Sequence, residues 1–574
     1  MSGDYDLKKH PFLVLLLSCT LAASCNGQQG AQHRWSLFAK AGRDTTAVKV
    51  SADSVASKTL LRFPDTTYAS VEALQWFVEV KDTTDDGLLK YLEDPYEALC
   101  GGCQKILCDN FQDAPGPDSS ASGHKSVFTG IFTFRGNQRR DMPLTGRISG
   151  TPSEISYEWI FTTASDTTCT PYGVWYGGAG WTGQPVYVHW SDSAAASFRA
   201  ISPALTRNFA EREIIAGSLC GDIYFLNYET GMASREAIYS GNIIKGSVSL
   251  DPCLPNLYVG HGVQKPGSDI FGNITIDLEH HCITTAFGCD HAAWRNWGAY
   301  DGCAVVAGGY LFRTGENGTL YKYRRQKGSL HTISKLRYKE RGASSAAGIE
   351  SSLAVCRNYG YFSDNRGNIL CVNLDTMVPV WRYDNHDDTD ATPVIEETGG
   401  RPYLYTCSEL DKLGNEGDIF FVKLDGLTGE PVWTLPLPCR AAINGEKRFE
   451  GGMFATPLPG RGDCKDLIYI NICDHNPSLA GFVASVDRSS GQILWQTRLK
   501  HYSWSSPLAF CNEEGRMYLC VADCAGNIYL MDAKSGQIIF SKRFGNNFEA
   551  SGIAVDDCIV IPSRGNQIIK LRVK

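Results

Sequence analysis

The sequence predicts an all-β chain folded as an eight-bladed β-propeller of four-stranded blades, its last blade completed by a strand near Trp159. Three observations predict it. A glycine-led strand unit occurs eight times, a small-residue step alternates with it eight times, and a turn-plus-aromatic marker follows the better preserved copies. Composition agrees: glycine stands at 58 of 574 residues and aromatics at 11%, as expected of many tight turns between aromatic-rich strands.

The first marker begins Gly221-Asp222-Ile223-Tyr224 and recurs at Gly272, Gly318, Gly367, Gly417, Gly481, Gly526 and Gly565. Glycine supplies the unusual backbone angle of a hairpin, and the residues after it alternate as a strand. The second marker is a small-residue step into an apolar strand, such as Gly183-Gln184-Pro185-Val186, Ala391-Thr392-Pro393-Val394 and Ser505-Ser506-Pro507-Leu508. Small residues suit a crowded axis on which strands converge. The third marker reads Asp425…Gly429…Trp433, Asp487…Gly491…Trp495 and Asp532…Gly536…Phe540, with partial copies Asn227…Gly231 and Asn373…Met377…Trp381. The acidic or amide side chain caps the turn, and the aromatic returns on the next strand to pack between neighbouring sheets.

The repeat spacing, roughly 50 residues, suits a four-stranded blade. The eighth unit stops at its third strand, so its fourth must come from the front of the domain. Ser156-Tyr157-Glu158-Trp159-Ile160-Phe161 is the segment expected to close the ring and remove an open edge.

Residues 1–25 have the layout of a secretory signal: Lys8 and Lys9, an apolar run from Phe12 to Leu17, then small residues ending at Cys25. That run is too short for a stable membrane anchor. Leu21-Ala22-Ala23-Ser24-Cys25 resembles a bacterial lipoprotein box, in which Cys25 is lipidated; Leu16-Leu17-Ser18-Cys19 and plain cleavage near Ala23 compete with it. The chain is therefore expected to be exported, in the periplasm or on the outer membrane, and held there by lipid. Most of the 21 cysteines sit in apolar strand-like runs, as Cys303 and Cys371 do, where they read as small core residues. Few disulfides are expected. A net charge of −8 without a Lys/Arg block argues against nucleic acid.

The Gly-Asx-Ile-Tyr…Asp-x-x-x-Gly-x-x-x-Trp unit resembles the pyrroloquinoline-quinone (PQQ) repeat, as in the eight-bladed propeller of quinoprotein alcohol dehydrogenases and in an outer-membrane barrel-assembly lipoprotein. The resemblance covers residues 126–574, starting near Phe134-Arg135-Gly136-Asn137. Residues 26–125 lie outside it as an N-terminal extension, with a Pro/Ser/Gly-rich flank from Pro115 to Gly123.

This repeat carries both redox enzymes and cofactor-free scaffolds, so the fold leaves function open. Loops leading into the innermost strands place Trp181, Lys245, Asp301, Glu350, Asp390, Phe454, Trp504 and Glu549 around an axial funnel. A quinoprotein would use such carboxylates to hold Ca²⁺, one of them as general base, and a Trp to stack on PQQ. Asp390 is the first choice for base or metal ligand, with Asp387 and Asp388 beside it. Against this, the chain has no adjacent cysteine pair of the kind those dehydrogenases carry beside the cofactor.

His280, His281, Cys282, Cys289 and His291 offer soft or borderline ligands for zinc or copper, though at no standard spacing; a packed surface loop is the simpler reading. Cys100-Gly101-Gly102-Cys103 with Cys108 reads as a structural disulfide or buried thiols. Three functions follow. The first is a monomeric envelope scaffold with a protein or glycan partner, needing no cofactor. The second is a PQQ- and Ca²⁺-dependent dehydrogenase, and the third a periplasmic sensor or carbohydrate binder using Trp181 and Trp504.

Overall fold

Each repeat folds as one antiparallel sheet, and eight such sheets make the ring. The structure is a computed structural model. It describes residues 81–83 and 128–574, apart from 143–144, 182, 203–207, 269–270, 291–292, 308, 340–342, 446 and 477. Cys19, Cys25, the Cys100–Cys108 segment and His291 lie outside the described residues.

Blade one runs from Val186–Trp190 at the axis to Ile238–Tyr239 at the rim, and blade two from Ser249–Leu250 to Cys282–Phe287. Blades three and four run from Val305–Ala307 to Ser329–Arg337 and from Ala354–Cys356 to Val378–Asp384. Blade five spans Val394–Thr398 to Pro431–Arg440, blade six Leu458–Pro459 to Ile493–Leu499, and blade seven Leu508–Asn512 to Ile538–Arg543.

Blade eight is built from both ends of the domain. Ile553–Val555, Cys558–Ser563 and Gln567–Val573 are followed in space by Ile155–Thr162, antiparallel to the last strand in the register Ile155↔Val573, Trp159↔Lys570 and Thr162↔Gln567. The expected closing strand is the observed one. No edge is left at that junction for another chain to template on.

The third marker turns out to be an inter-blade lock. Gly231, Gly429, Gly491 and Gly536 all adopt φ between 71° and 75° at the turn before the fourth strand. The tryptophan of the preceding blade lies on each of them: Trp159 on Gly231, Trp381 on Gly429, Trp433 on Gly491 and Trp495 on Gly536. Each indole N–H also donates to a carbonyl of that turn: Trp159 to Tyr228 at 2.9 Å, Trp381 to Gly426 at 3.0 Å, Trp433 to Arg488 at 3.0 Å and Trp495 to Ala533 at 3.1 Å. Glycine is required twice over, for the left-handed angle and for the bare face under the ring. Met377 adopts the same left-handed angle, φ 56°, in the copy that lacks the glycine.

At the axis the small-residue steps staple neighbouring blades. Backbone N–H groups donate to hydroxyls of the next step: Gln184 to Ser247, Cys303 to Ser352, Ser352 to Thr392, Thr456 to Ser506 and Ser506 to Ser551, all at 2.8–3.0 Å. A short side chain with one oxygen reaches the neighbouring backbone where a larger one would not fit.

Residues 128–142 and 145–148 fill the space inside these strands, a role the sequence reading did not assign. The segment pairs with blade one through Phe128–Ile131 and, in parallel, with blade seven through Gly146–Ile148. Between them it hydrogen-bonds Leu250 of blade two, Ala304 of three, Val355 of four, Ile395 of five and Arg461 beside the first strand of six; Arg147 reaches Asp556 of blade eight. The fully buried Arg140 donates to the carbonyls of Phe134, Cys303 and Leu353 and to the Thr133 hydroxyl; Arg135, also fully buried, donates to Pro507. Burial pushes both guanidiniums down, to about 10 for Arg140 and about 9 for Arg135. The backbone is left-handed at Arg135, Arg140 and Met142, a concentrated strain that the surrounding bonds sustain.

Residues Lys81–Thr83 pair with the outer strand of blade three. Among the described residues all sixteen cysteines are free thiols, eleven of them buried. No described helix is long and apolar enough to cross a membrane.

Candidate functional site

In each blade the loop before the first strand and the turn joining the second and third strands open on the same end of the ring, because the sheet is an antiparallel meander. That end collects the eight residues expected at the funnel and sorts them by chemistry.

Three of them form an aromatic cluster. The Phe454 and Trp504 rings are 4.9 Å apart, Trp181 stands edge-on to Phe454 at 6.5 Å, and the Trp181 N–H donates to the Phe454 carbonyl at 3.3 Å. Tyr502 also packs against Trp504, at 5.6 Å, and Trp504 is only 5% exposed. Glu549 stands apart from the other acids, bonded to Asn547 at 2.7 Å and paired with Arg564 at 3.5 Å.

The others belong to an acidic half. Lys245 forms an ion pair with Asp301. Asp301, Glu316 and Glu350 bring one carboxylate oxygen each within 4.8 Å of one another, and so do Asp388, Asp390 and Glu409. Burial would push Lys245 down, but Asp301, Glu316 and Glu350 outweigh it and hold the ammonium above its ordinary range. The acids move the other way. Burial, then mutual repulsion, raises Glu316, Asp390 and Glu409 far above the usual carboxylate range, and raises Glu350 as well. Asp388 is pushed up to about 8, chiefly by burial and the neighbouring carboxylates against the pull of Lys412. Like charges this close cannot all ionise without a compensating cation.

Oxygens of this cluster lack donors. Oε1 of Glu316, Oδ1 of Asp388, Oδ1 of Asp390 and Oε1 of Glu409 are buried and accept no hydrogen bond. Asp387, expected beside Asp390 as a ligand, does something else. Its carboxylate accepts from the backbone N–H groups of Asp388, Asp411, Lys412 and Leu413 at 2.8–3.0 Å, and so it shapes the loop. Glu316 and Glu409 were missed because they sit on turns between second and third strands. Counting those turns onto the funnel end would have found them.

The His/Cys constellation does not assemble among the described residues, where the two acidic triads are the groups with metal-ligand spacing. His280 Nδ1 contacts Asp277 at 2.7 Å, His281 Nε2 the Glu236 carbonyl at 2.7 Å, and Cys289 donates to Asn296 at 3.0 Å. Cys282 is exposed on the outer strand of blade two.

Residues 480–574 match a family model described as outer membrane protein assembly factor BamB. The match covers the end of blade six and blades seven and eight, including the Trp495–Gly536 lock. The chain is an eight-bladed propeller whose C-terminal repeats match this family model. Among solved structures, this propeller is similar to a quinohemoprotein alcohol dehydrogenase from Pseudomonas putida HK5, at 11% identity and TM-score 0.53 over 77% of this chain and 80% of that one. The corresponding enzyme from Comamonas testosteroni is also 11% identical, with TM-score 0.52 over 82% of this chain and 84% of that one. BamB from Moraxella catarrhalis is 15% identical, with TM-score 0.43 over 63% of this chain and 93% of that one. No curated protein sequence matches the chain. At these identities the likenesses speak to the fold alone.

Two groups that such propellers hold can be tested against these residues. Quinone binding needs an open aromatic face, yet Trp504 is covered by Phe454 and Tyr502. PQQ is also an anion, and the funnel cations are engaged: Lys245 by Asp301, and Arg448 by Asp411 and Glu450. The Trp504 face is thus closed to a quinone, while Trp181 stays partly exposed. Lys245 already neutralises the Asp301, Glu316 and Glu350 triad, whereas that of Asp388, Asp390 and Glu409, all hard oxygen donors, fits a hard cation such as Ca²⁺.

Proposed function

We propose that the protein is an exported, lipid-anchored binding or assembly scaffold of the bacterial cell envelope, and that the funnel end of the propeller is its working face. The observation that carries this reading is the state of the axis. The chain's own residues 128–142 and 145–148 fill the ring, and Phe454 and Tyr502 cover Trp504, so that ring offers no floor for a planar cofactor. What the funnel end offers instead is a rim carried by rigid blades, with Leu413 and Ile443 exposed on it. A rim of this kind suits a protein partner with a partly apolar surface. The same covering of Trp504 argues against sugar stacking on that ring.

The test is site-directed photocrosslinking from positions 413 and 443 in envelopes of the source cells, with position 232 on the rim of blade one as control. Discrete adducts from 413 and 443 alone are expected. Saturable PQQ binding by the purified protein, with alcohol oxidation, would overturn the reading in favour of a dehydrogenase.

A further inference from the structure

Between the second and third strands of blade five the chain leaves its own sheet. Glu409–Leu410 crosses to blade six and pairs with Gly451–Gly452, in the register Glu409↔Gly452. Residues 409–415 thus form a strap across the junction of two blades. Arg448 ties its far side, donating to the carbonyls of Leu410, Asp411 and Gly414 at 2.8–3.0 Å. The near side is tied by backbone, the Glu409 N–H donating to the Asp388 carbonyl at 2.7 Å. That bond delivers the Glu409 carboxylate to Asp388 and Asp390, which come from the loop between blades four and five.

The result is three carboxylates from two separate chain segments with oxygens within 4.8 Å of one another. Glu409 is 2% exposed and Asp390 5%, and Oε1 of the first and Oδ1 of the second accept no hydrogen bond. Buried acceptors normally have donors. Here the facing groups are other acceptors, and the nearest ammonium, Lys412 Nζ, stands 3.8 Å from Asp388 Oδ2 at the solvent side. Lys412 faces Asp388 and Lys245 pulls on Asp390, but Glu350 opposes it, so the three carboxylates cannot all ionise without a further cation.

We propose that Asp388, Asp390 and Glu409 bind one divalent cation of the Ca²⁺ class, and that the ion clasps the strap to the junction of blades five and six. Hard oxygen donors select a hard ion, and a dedicated set of three protein carboxylates suits Ca²⁺ better than Mg²⁺, which keeps several of its waters. The doubly charged ion supplies the missing neutralisation. No organic cofactor takes part, and the inference stands whether or not the scaffold reading holds.

The test uses the full-length protein, stripped with chelator and titrated with CaCl₂ by calorimetry. One equivalent should bind, and the melting temperature should rise by about 3 °C at saturating Ca²⁺. Glu409→Gln and Asp390→Asn should each weaken binding at least tenfold and lose the Ca²⁺-dependent rise, while melting no lower than wild type without the ion. Cleavage by endoproteinase Lys-C after Lys412 reports on the strap: Ca²⁺ should slow it about tenfold in wild type and not in Glu409→Gln. Absence of binding at millimolar Ca²⁺, or one equivalent still bound with unchanged affinity in both variants, overturns the proposal. Should both variants fail to fold, wild-type stoichiometry together with protection at Lys412 decides it, and lack of either counts against it.

Discussion

The indole of Trp159 lies against Gly231, with a Cβ built on that glycine falling 2.5 Å from the ring, and its N–H closes on the Tyr228 carbonyl at 2.9 Å. Trp159 belongs to blade eight and Gly231 to blade one. The lock that joins blades four to seven therefore also joins the two ends of the domain, and ring closure uses the same chemistry as every other well-formed junction.

Replacing Trp159 by Ala should destabilise the protein by about 3–5 kcal/mol, the usual cost of deleting a buried aromatic. Gly231→Ala should cost at least ~1 kcal/mol, since the new methyl meets the ring and φ is +71°. Denaturant unfolding measures both. A double variant no worse than Trp159→Ala alone would show that the two changes break one contact.

Arg140→Met should lower stability by about 3 kcal/mol, because it strands the carbonyls of Phe134, Cys303 and Leu353 inside the ring. Arg140→Lys should recover only part of that loss, as one ammonium cannot span acceptors on blades three and four together. Calorimetric melting of the two variants checks the order.

Glu450 gives a pH dependence with a definite sign. Burial first, then Asp411 and Asp388, push it up to about 8 against the pull of Arg448. In the unfolded chain it titrates near ~4. The folded form thus binds the extra proton between those values, and this group's contribution is full below ~4 and lost as pH rises to about 8. In metal-free protein, Glu450→Gln should flatten the fall in melting temperature between pH 5 and pH 8 and melt higher than wild type at pH 9.

Thiol chemistry should divide the described cysteines. Burial pushes Cys356, Cys439 and Cys558 up to about 12, so these stay protonated and unmodified by iodoacetamide at pH 8. Cys169 and Cys282 are exposed and should react first. Peptide mapping of briefly alkylated native protein gives the order.

Much of this molecule could be read from the chain. A marker repeated eight times carries its own register, so blade number and the closing strand at Trp159 followed from counting. The loops beside the small-residue steps could be counted onto one end of the ring for the same reason. Glu316 and Glu409 were not, since they lie on turns that vary in length from blade to blade. Asp387 misled because adjacent acids look alike in sequence, while only the fold shows which one caps a loop.

Local pattern settles whatever depends on neighbours along the chain: strand, turn, which residue faces the next sheet, and how many sheets there are. It is silent on what meets across the axis. That residues 128–142 and 145–148 fill the ring, that Phe454 and Tyr502 cover Trp504, and that Glu409 joins Asp388 and Asp390 are consequences of closure. Bending eight sheets into a circle brings together side chains that no periodicity relates.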